Sequence, residues 1–331
     1  MDKLIEVYEA AKMKFSIHME NMNGIPYEVY SSLTGNYYAE EKGSDLYAMY
    51  NWMTSFITGL APLFYRETKN ESYLKWVNQF KIHYYRKMFD TPLESMHDIG
   101  FLYSPYSVAM YRLTGDIQHR DIALKAADEL AKRFCINGRY IDAWGKMDDD
   151  SREGRAIIDC MMNLPLLNWA WQETGHTFYR DIAKAHAETT KRYFIRDDFS
   201  VAHSYIFDRE TGKIVSEANN CGYANGSHWT RGTAWSVYGF AILPRYTENN
   251  DYTELAANIF EKYKSSLNGG YIPVWDFRLP KDKPALMCGK NPADWDENDL
   301  NNCRFNVDTS AAAIMSFALF ELYNKKKNMD F

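Results

Sequence analysis

The chain has 331 residues, 46% of them hydrophobic and 25% charged, a balance that supplies a sizeable core and argues against intrinsic disorder. Its formal net charge of −6 argues against a general nucleic-acid or membrane-surface role, because those partners call for basic patches. Aromatic side chains reach 16%, with 25 Tyr and 9 Trp. That excess suits a helix–helix core and a sugar-stacking cleft equally well, since phenol and indole join a flat apolar face to a polar edge.

In chain order, the first residues lack the basic start, apolar run and small-residue cleavage site of a secretory leader. No apolar run approaches the roughly 20 residues that span a bilayer, so a cytoplasmic chain without a membrane partner is expected. Apolar residues then recur at three- and four-residue spacing over 46–64, 103–113, 157–171, 235–246 and 311–323, which predicts helices. Runs with strand-like alternation are few and short, such as 204–207 and 271–275. The chain is therefore expected to be all-α.

Several predicted helices end in a related phrase: Tyr65-Arg66-Glu67-Thr68-Lys69-Asn70, Tyr111-Arg112-Leu113-Thr114-Gly115-Asp116 and Trp171-Gln172-Glu173-Thr174-Gly175-His176, with a looser copy at Tyr246-Thr247-Glu248-Asn249-Asn250-Asp251. Each places a Gly or Asn where a helix is capped in the left-handed conformation, then opens another helix. The irregular spacing fits a ring of helical hairpins better than a solenoid. No Pro/Gly/Ser-rich linker interrupts it, so one domain over 1–331 is expected. The five cysteines, Cys135, Cys160, Cys221, Cys288 and Cys303, form no CxxC pair and read as buried thiols. The run Lys325-Lys326-Lys327-Asn328 reads as a solvated tail.

Four segments carry candidate chemistry. In Met96-His97-Asp98-Ile99-Gly100-Phe101 an imidazole and a carboxylate stand at a helix start, where Asp98 fits an N-cap as well as a functional acid. In the apolar run 157–167, Asp159 and Asn163 lie four residues apart, on one face of the predicted helix. A buried carboxylate has its pKa raised and becomes a general acid, or bonds to backbone groups and is structural; the residues alone leave both open. In the segment 227–235, Arg231 stands between Trp229 and Trp235, and Gly232 admits a close backbone approach. Arg forks onto carboxylates and indoles stack on sugars, so an acidic sugar fits there; an Arg simply stacked on Trp fits too. In 271–277, Asp276 follows Trp275 and is a weak signal by itself.

Together these segments resemble glycoside hydrolase family 88, the unsaturated glucuronyl hydrolases, and more distantly the unsaturated rhamnogalacturonyl hydrolases of family 105. The phrases His97-Asp98-Ile99-Gly100-Phe101, Asp159 to Leu167 and Trp229 to Trp235 stand in the family's order, and the resemblance runs from about Trp52 to the helix at 308–313. It implies an (α/α)6 barrel and hydration of the C4=C5 bond in the unsaturated uronic acid at the non-reducing end of lyase-generated oligosaccharides. It further implies Asp159 as general acid/base and Asp98 as the second carboxylate. His97, Trp52, Trp144, Asn163, His203, Trp229, Arg231 and Trp235 are implied as substrate contacts, with neither metal nor organic cofactor required. A monomer or weak homo-oligomer is expected. One departure is plain: where the family carries His-Gln before Gly-Tyr-Ala, this chain has Asn219-Asn220-Cys221-Gly222-Tyr223-Ala224. His228 reads either as a replacement contact or as a solvent-facing loop residue. The alternatives to an unsaturated glucuronyl hydrolase are the rhamnogalacturonyl specificity and a glycan-binding relative that has lost turnover.

Overall fold

The computed structural model of the protein describes residues 2–21, 28–31, 37–40, 52–149, 153–247, 251–267, 269–279 and 307–325. The chain divides into two compact units, Met1–Lys132 with Gly145–Asp150, and Arg133–Trp144 with Ser151–Phe331. Glu248 to Asn250, Cys288, Cys303, the basic run beyond Lys325 and the start of the helix expected over 46–64 lie outside the described residues.

The first unit holds α1 (Asp2–Asn21), a hairpin of β1 (Glu28–Ser31) and β2 (Tyr37–Glu40), α2 (Thr54–Thr58), α3 (Leu60–Thr68), α4 (Glu71–Asn78), α5 (Lys81–Phe89), α6 (Ile99–Tyr103), α7 (Ala109–Thr114) and α8 (Ile117–Lys132). A π-helical turn, Ser104–Val108, joins α6 to α7. Its core is aromatic: Tyr84 stacks on Tyr106 at 3.8 Å, and the buried Tyr84 hydroxyl bonds Ser55 and Thr58 at 2.6 and 2.8 Å.

The second unit holds β3 (Phe134–Cys135), β4 (Tyr140–Ile141), β5 (Gly154–Ile157), α9 (Leu164–Thr174), α10 (Thr177–Tyr193), β6 (Ser204–Phe207), β7 (Ile214–Ala218), α11 (Thr230–Ile242), α12 (Asp251–Ser265) and α13 (Thr309–Lys325). The helix α11 is buried along nearly its whole length and packs on α12 and α13. Strands β5, β6 and β7 form one antiparallel sheet in that order, with Ile157 opposite Ser204 and Ser204 opposite Ala218.

The recurring phrase has a physical cause that repeats at three helix ends. Thr68, Thr114 and Thr174 each donate a hydroxyl hydrogen bond to the carbonyl four residues back and accept the N–H two residues on. Between them Lys69, Gly115 and Gly175 adopt φ of 57°, 72° and 77°, and each N–H closes the helix on a carbonyl four residues back. At the first end the left-handed residue is therefore Lys69, while Asn70 caps the next helix by accepting the Ser72 N–H.

Two expectations need correction. The stretch 157–171 is not one helix: Ile157 ends β5, Ile158–Met162 forms a 3-10 turn, and α9 starts at Leu164. The segment 271–275 is not a strand; Val274 makes a single bridge to Val307. Of the described cysteines only Cys160 is buried, while Cys135 and Cys221 are half-exposed. No described helix is long and apolar enough to cross a membrane.

Candidate active site

Within the second unit the sheet β5-β6-β7 converges three chain ends at one edge. Strand β5 finishes there and β6 begins there, so the residues just outside the Ile157–Ser204 pair, Ile158 and His203, are neighbours, and the Ile158 N–H donates to the His203 carbonyl at 3.0 Å. The next residue on the β5 side is Asp159, on a turn of three residues per repeat. Strand β7 finishes at the same edge, opposite Ser204, and delivers Asn219 and Asn220. The Asn220 N–H donates to His203 Nδ1 at 3.0 Å. An acceptor at Nδ1 means that neutral His203 carries its proton on Nε2, and Nε2 lies 4.0 Å from Asp159 Oδ2. The Asp159 side chain is 21% exposed, so it is accessible and not sealed in a core.

The Trp229 ring packs edge-on against His203 at 4.9 Å, and the Arg231 guanidinium stacks over Trp229 at 4.8 Å. Gly232 makes this packing possible: a Cβ there would lie 2.5 Å from Trp229 Cε3 and 3.0 Å from Ile158 Cγ2. Arg231 is itself oriented by Asp308, 3.5 Å away, and by Ser310 Oγ at 3.4 Å. Asp159, His203, Trp229 and Arg231 thus form one cluster. Asn163 is buried at the start of α9 and shares no α-helical face with Asp159, because the intervening turn is 3-10. Trp235 is buried within α11.

Trp144 is half-buried at the end of a loop held by the buried Arg133, which donates to the carbonyls of Asp142, Ala143 and Trp144 at 2.7, 3.0 and 3.0 Å. The Arg155 guanidinium stacks on Trp144 at 5.1 Å. Asp276, by contrast, is a clasp: its buried carboxylate accepts the N–H groups of Tyr223, His228 and Arg278 at 2.9, 3.0 and 2.9 Å. His228, the residue before Trp229, is not solvent-facing. It is buried against Phe277, and burial together with Arg278 and Arg196 pushes its pKa down to about 3.

In the first unit, Asp98 precedes α6 but its side chain makes no capping bond, so the N-cap reading fails. Instead Asp98 Oδ1 lies 3.2 Å from His97 Nε2, with the carboxylate 14% exposed. The buried Lys87 of α5 is the neighbour that sequence reasoning missed. Burial pulls its ammonium down to about 8, partly opposed by the attraction of Asp98. Trp52 is half-buried and packs on Phe101 at 5.5 Å. Lys87 and Arg155 carry no motif, and Asp308 was marked only as the end of the family resemblance; the family departure at Asn219-Asn220-Cys221 alone drew attention to the loop that Arg155 touches. Among the described residues no group of three or more His, Cys, Asp or Glu is arranged to hold a metal ion.

Residues 32–269 match Glycosyl Hydrolase Family 88. The chain is 33% identical over 291 residues to the unsaturated glucuronyl hydrolase of Bacillus sp. strain GL1, covering 87% of this chain and 72% of that protein. It is also 33% identical over 225 residues to an unsaturated chondroitin disaccharide hydrolase of Streptococcus pneumoniae, covering 68% of this chain but only 57% of that relative's length. The crystal structure of the Bacillus sp. GL1 enzyme superposes with a TM-score of 0.80 at 31% identity, over 96% of this chain and 77% of that one. The all-α fold expected from the resemblance is therefore the fold of these enzymes, and the chain belongs to Glycosyl Hydrolase Family 88.

Proposed function

We propose that this chain, as a single catalytic domain, releases unsaturated uronic acid from the non-reducing end of lyase-generated oligosaccharides by hydrating the C4=C5 double bond. The names of its relatives, unsaturated glucuronyl hydrolase and unsaturated chondroitin disaccharide hydrolase, support this substrate class. The observation that carries the reading is Asp159 itself: an accessible carboxylate with the His203 Nε2 edge 4.0 Å away and the Trp229–Arg231 stack behind that imidazole.

In the proposed reaction protonated Asp159 gives its proton to C4. Water adds through oxygen to C5, and its surplus proton returns to the carboxylate, so Asp159 ends as it began and the net change is addition of one water. The hemiketal formed at C5 opens to a ketone, and the hemiacetal left at C1 expels the remaining sugar as an alcohol. Attack never occurs at C1, so the carboxylate separations that distinguish inverting from retaining glycosidases do not apply. Asp98, with His97 and Lys87 around it, is proposed as the second carboxylate; Trp52, Trp144, Asn163, Trp235 and Arg231 are proposed as substrate-side residues.

The test follows the ultraviolet absorbance of the conjugated double bond across lyase digests of glycosaminoglycan and of rhamnogalacturonan. Loss of absorbance is expected with glucuronyl products, and preference for the rhamnogalacturonan digest would shift the specificity to the alternative. Asp159→Asn is expected to lower kcat by about 100- to 10,000-fold while disaccharide binding persists. A wild-type protein that leaves every digest unchanged, yet binds the sugars, would establish the glycan-binding alternative instead.

A further inference from the structure

Arg155 stands outside the residues that the family resemblance implies, yet it is built into the wall beside them. It lies on β5, four residues before Asp159; at about 3.3 Å per residue the two Cα atoms are at most ~13 Å apart, within the span of a disaccharide. Its guanidinium lies on the Trp144 ring at 5.1 Å, Nη1 donates to Asn220 Oδ1 at 2.9 Å, and Nη2 donates to Glu153 Oε2 at 2.7 Å. Asn220 is also the residue whose N–H fixes the His203 tautomer. A continuous series of contacts therefore runs from Asp159 through His203 and Asn220 to Arg155 and Trp144, and it passes through the position where this chain departs from its family.

We propose that Arg155 is a specificity-determining residue that reads an oxyanion, a sulfate ester, on the sugar that follows the unsaturated uronate. The proposal rests on the reaction proposed above. Arginine carries five N–H donors in a planar fork, and two are taken by Asn220 and Glu153, leaving three with no partner among the described residues. The side chain is 16% exposed, so the cation is sheltered from screening but reachable. Its counter-charge is weakly held, because the Glu153 side chain is 60% exposed and its carboxylate is solvated by water. A substrate oxyanion, held by two parallel N–H bonds, displaces such a partner readily. The contact with Trp144 holds the guanidinium beside a ring suited to a sugar face.

The experiment compares kcat/KM on unsaturated chondroitin disaccharides that differ only in sulfation of the amino sugar. Both carry the same uronate carboxylate, so any effect of Arg155 on that group cancels in the ratio. The wild type is expected to favour the sulfated disaccharide. Arg155→Met should reduce the sulfated-to-unsulfated ratio about tenfold, and Arg155→Lys should recover part of it. Glu153→Gln, at an exposed site that leaves folding intact, should raise the ratio about threefold by freeing the guanidinium. An unaltered ratio in Glu153→Gln, or an equal loss on both sugars in Arg155→Met, overturns the proposal and marks Arg155 as a support for Trp144 or a reader of the uronate itself. If the wild type turns over neither sugar, the proposed reaction fails. Equilibrium titration of the same two disaccharides then decides Arg155 separately: a sulfate-dependent difference in Kd that vanishes in Arg155→Met sustains it, and no such difference overturns it.

Discussion

Lys87 is the residue whose chemistry is least expected from its letter. A lysine on an aromatic helix would ordinarily leave its ammonium in water, but here burial holds the group at about 8, against 10.5 for free lysine, while Asp98 attracts the charged form. Because the folded pKa lies below the unfolded one, the unfolded chain binds more protons between pH 8 and 10.5. The cost of the buried charge is therefore full below pH 8 and is relieved as pH rises towards 10.5, by on the order of 3 kcal/mol in total. Urea unfolding of wild type and Lys87→Met across pH 7.5 to 10 is expected to show stability rising more steeply in the wild type; parallel pH curves would contradict a buried ammonium. The same ammonium neighbours Asp98, so the pH profile of kcat is expected to lose its alkaline limb near pH 8 in this variant.

The elements explain which parts of the molecule were legible in sequence. Helix ends declared themselves, because Thr-Lys, Thr-Gly and the residues around them encode both the left-handed cap and the hydroxyl bridge. Asp159, Asp98 and the Trp229–Arg231 stack were marked by ordered motifs. The sheet that positions Asp159 was not: Gly154–Ile157 is too short and apolar to separate from the helix that follows, and register is set by partners far away in the chain. For the same reason Arg155 carried no signal, since its meaning comes from Trp144 and Asn220. Asp276 read as a weak acid candidate, whereas its position accepts three N–H groups and ties the 223–228 loop to the 276–278 turn. Removing a buried acceptor strands several donors at once, so Asp276→Ala is expected to cost about 3 kcal/mol or more in denaturant unfolding, and Asp276→Asn less. Equal, near-zero effects from both would show that the clasp is dispensable.

Across the whole molecule, acid sensitivity has a recognisable source in each unit. His119 of the first unit is held neutral, at about 4, by burial and the nearby Lys81, against the pull of Asp116. His228 of the second is held at about 3. Folded values below the free histidine value mean that the unfolded chain takes up protons first as pH falls. Stability from these two groups is thus complete above about pH 6.5 and is lost progressively below it. Unfolding free energies measured at pH 7, 6, 5 and 4.5 should decline in the wild type and decline less in a His119→Gln/His228→Gln variant; an identical slope would assign acid sensitivity elsewhere. The interleaving of the two units carries a consequence for biosynthesis. Gly145–Asp150 belongs to the first unit although Arg133–Trp144, earlier in the chain, belongs to the second. The Met147 N–H reaches the Leu93 carbonyl at 3.1 Å and Lys146 reaches Glu94 at 3.2 Å, so a nascent chain stopped at Lys132 lacks both ties. The first unit is finished only after the ribosome has already made the opening strands of the second, which sets the order in which the two can mature.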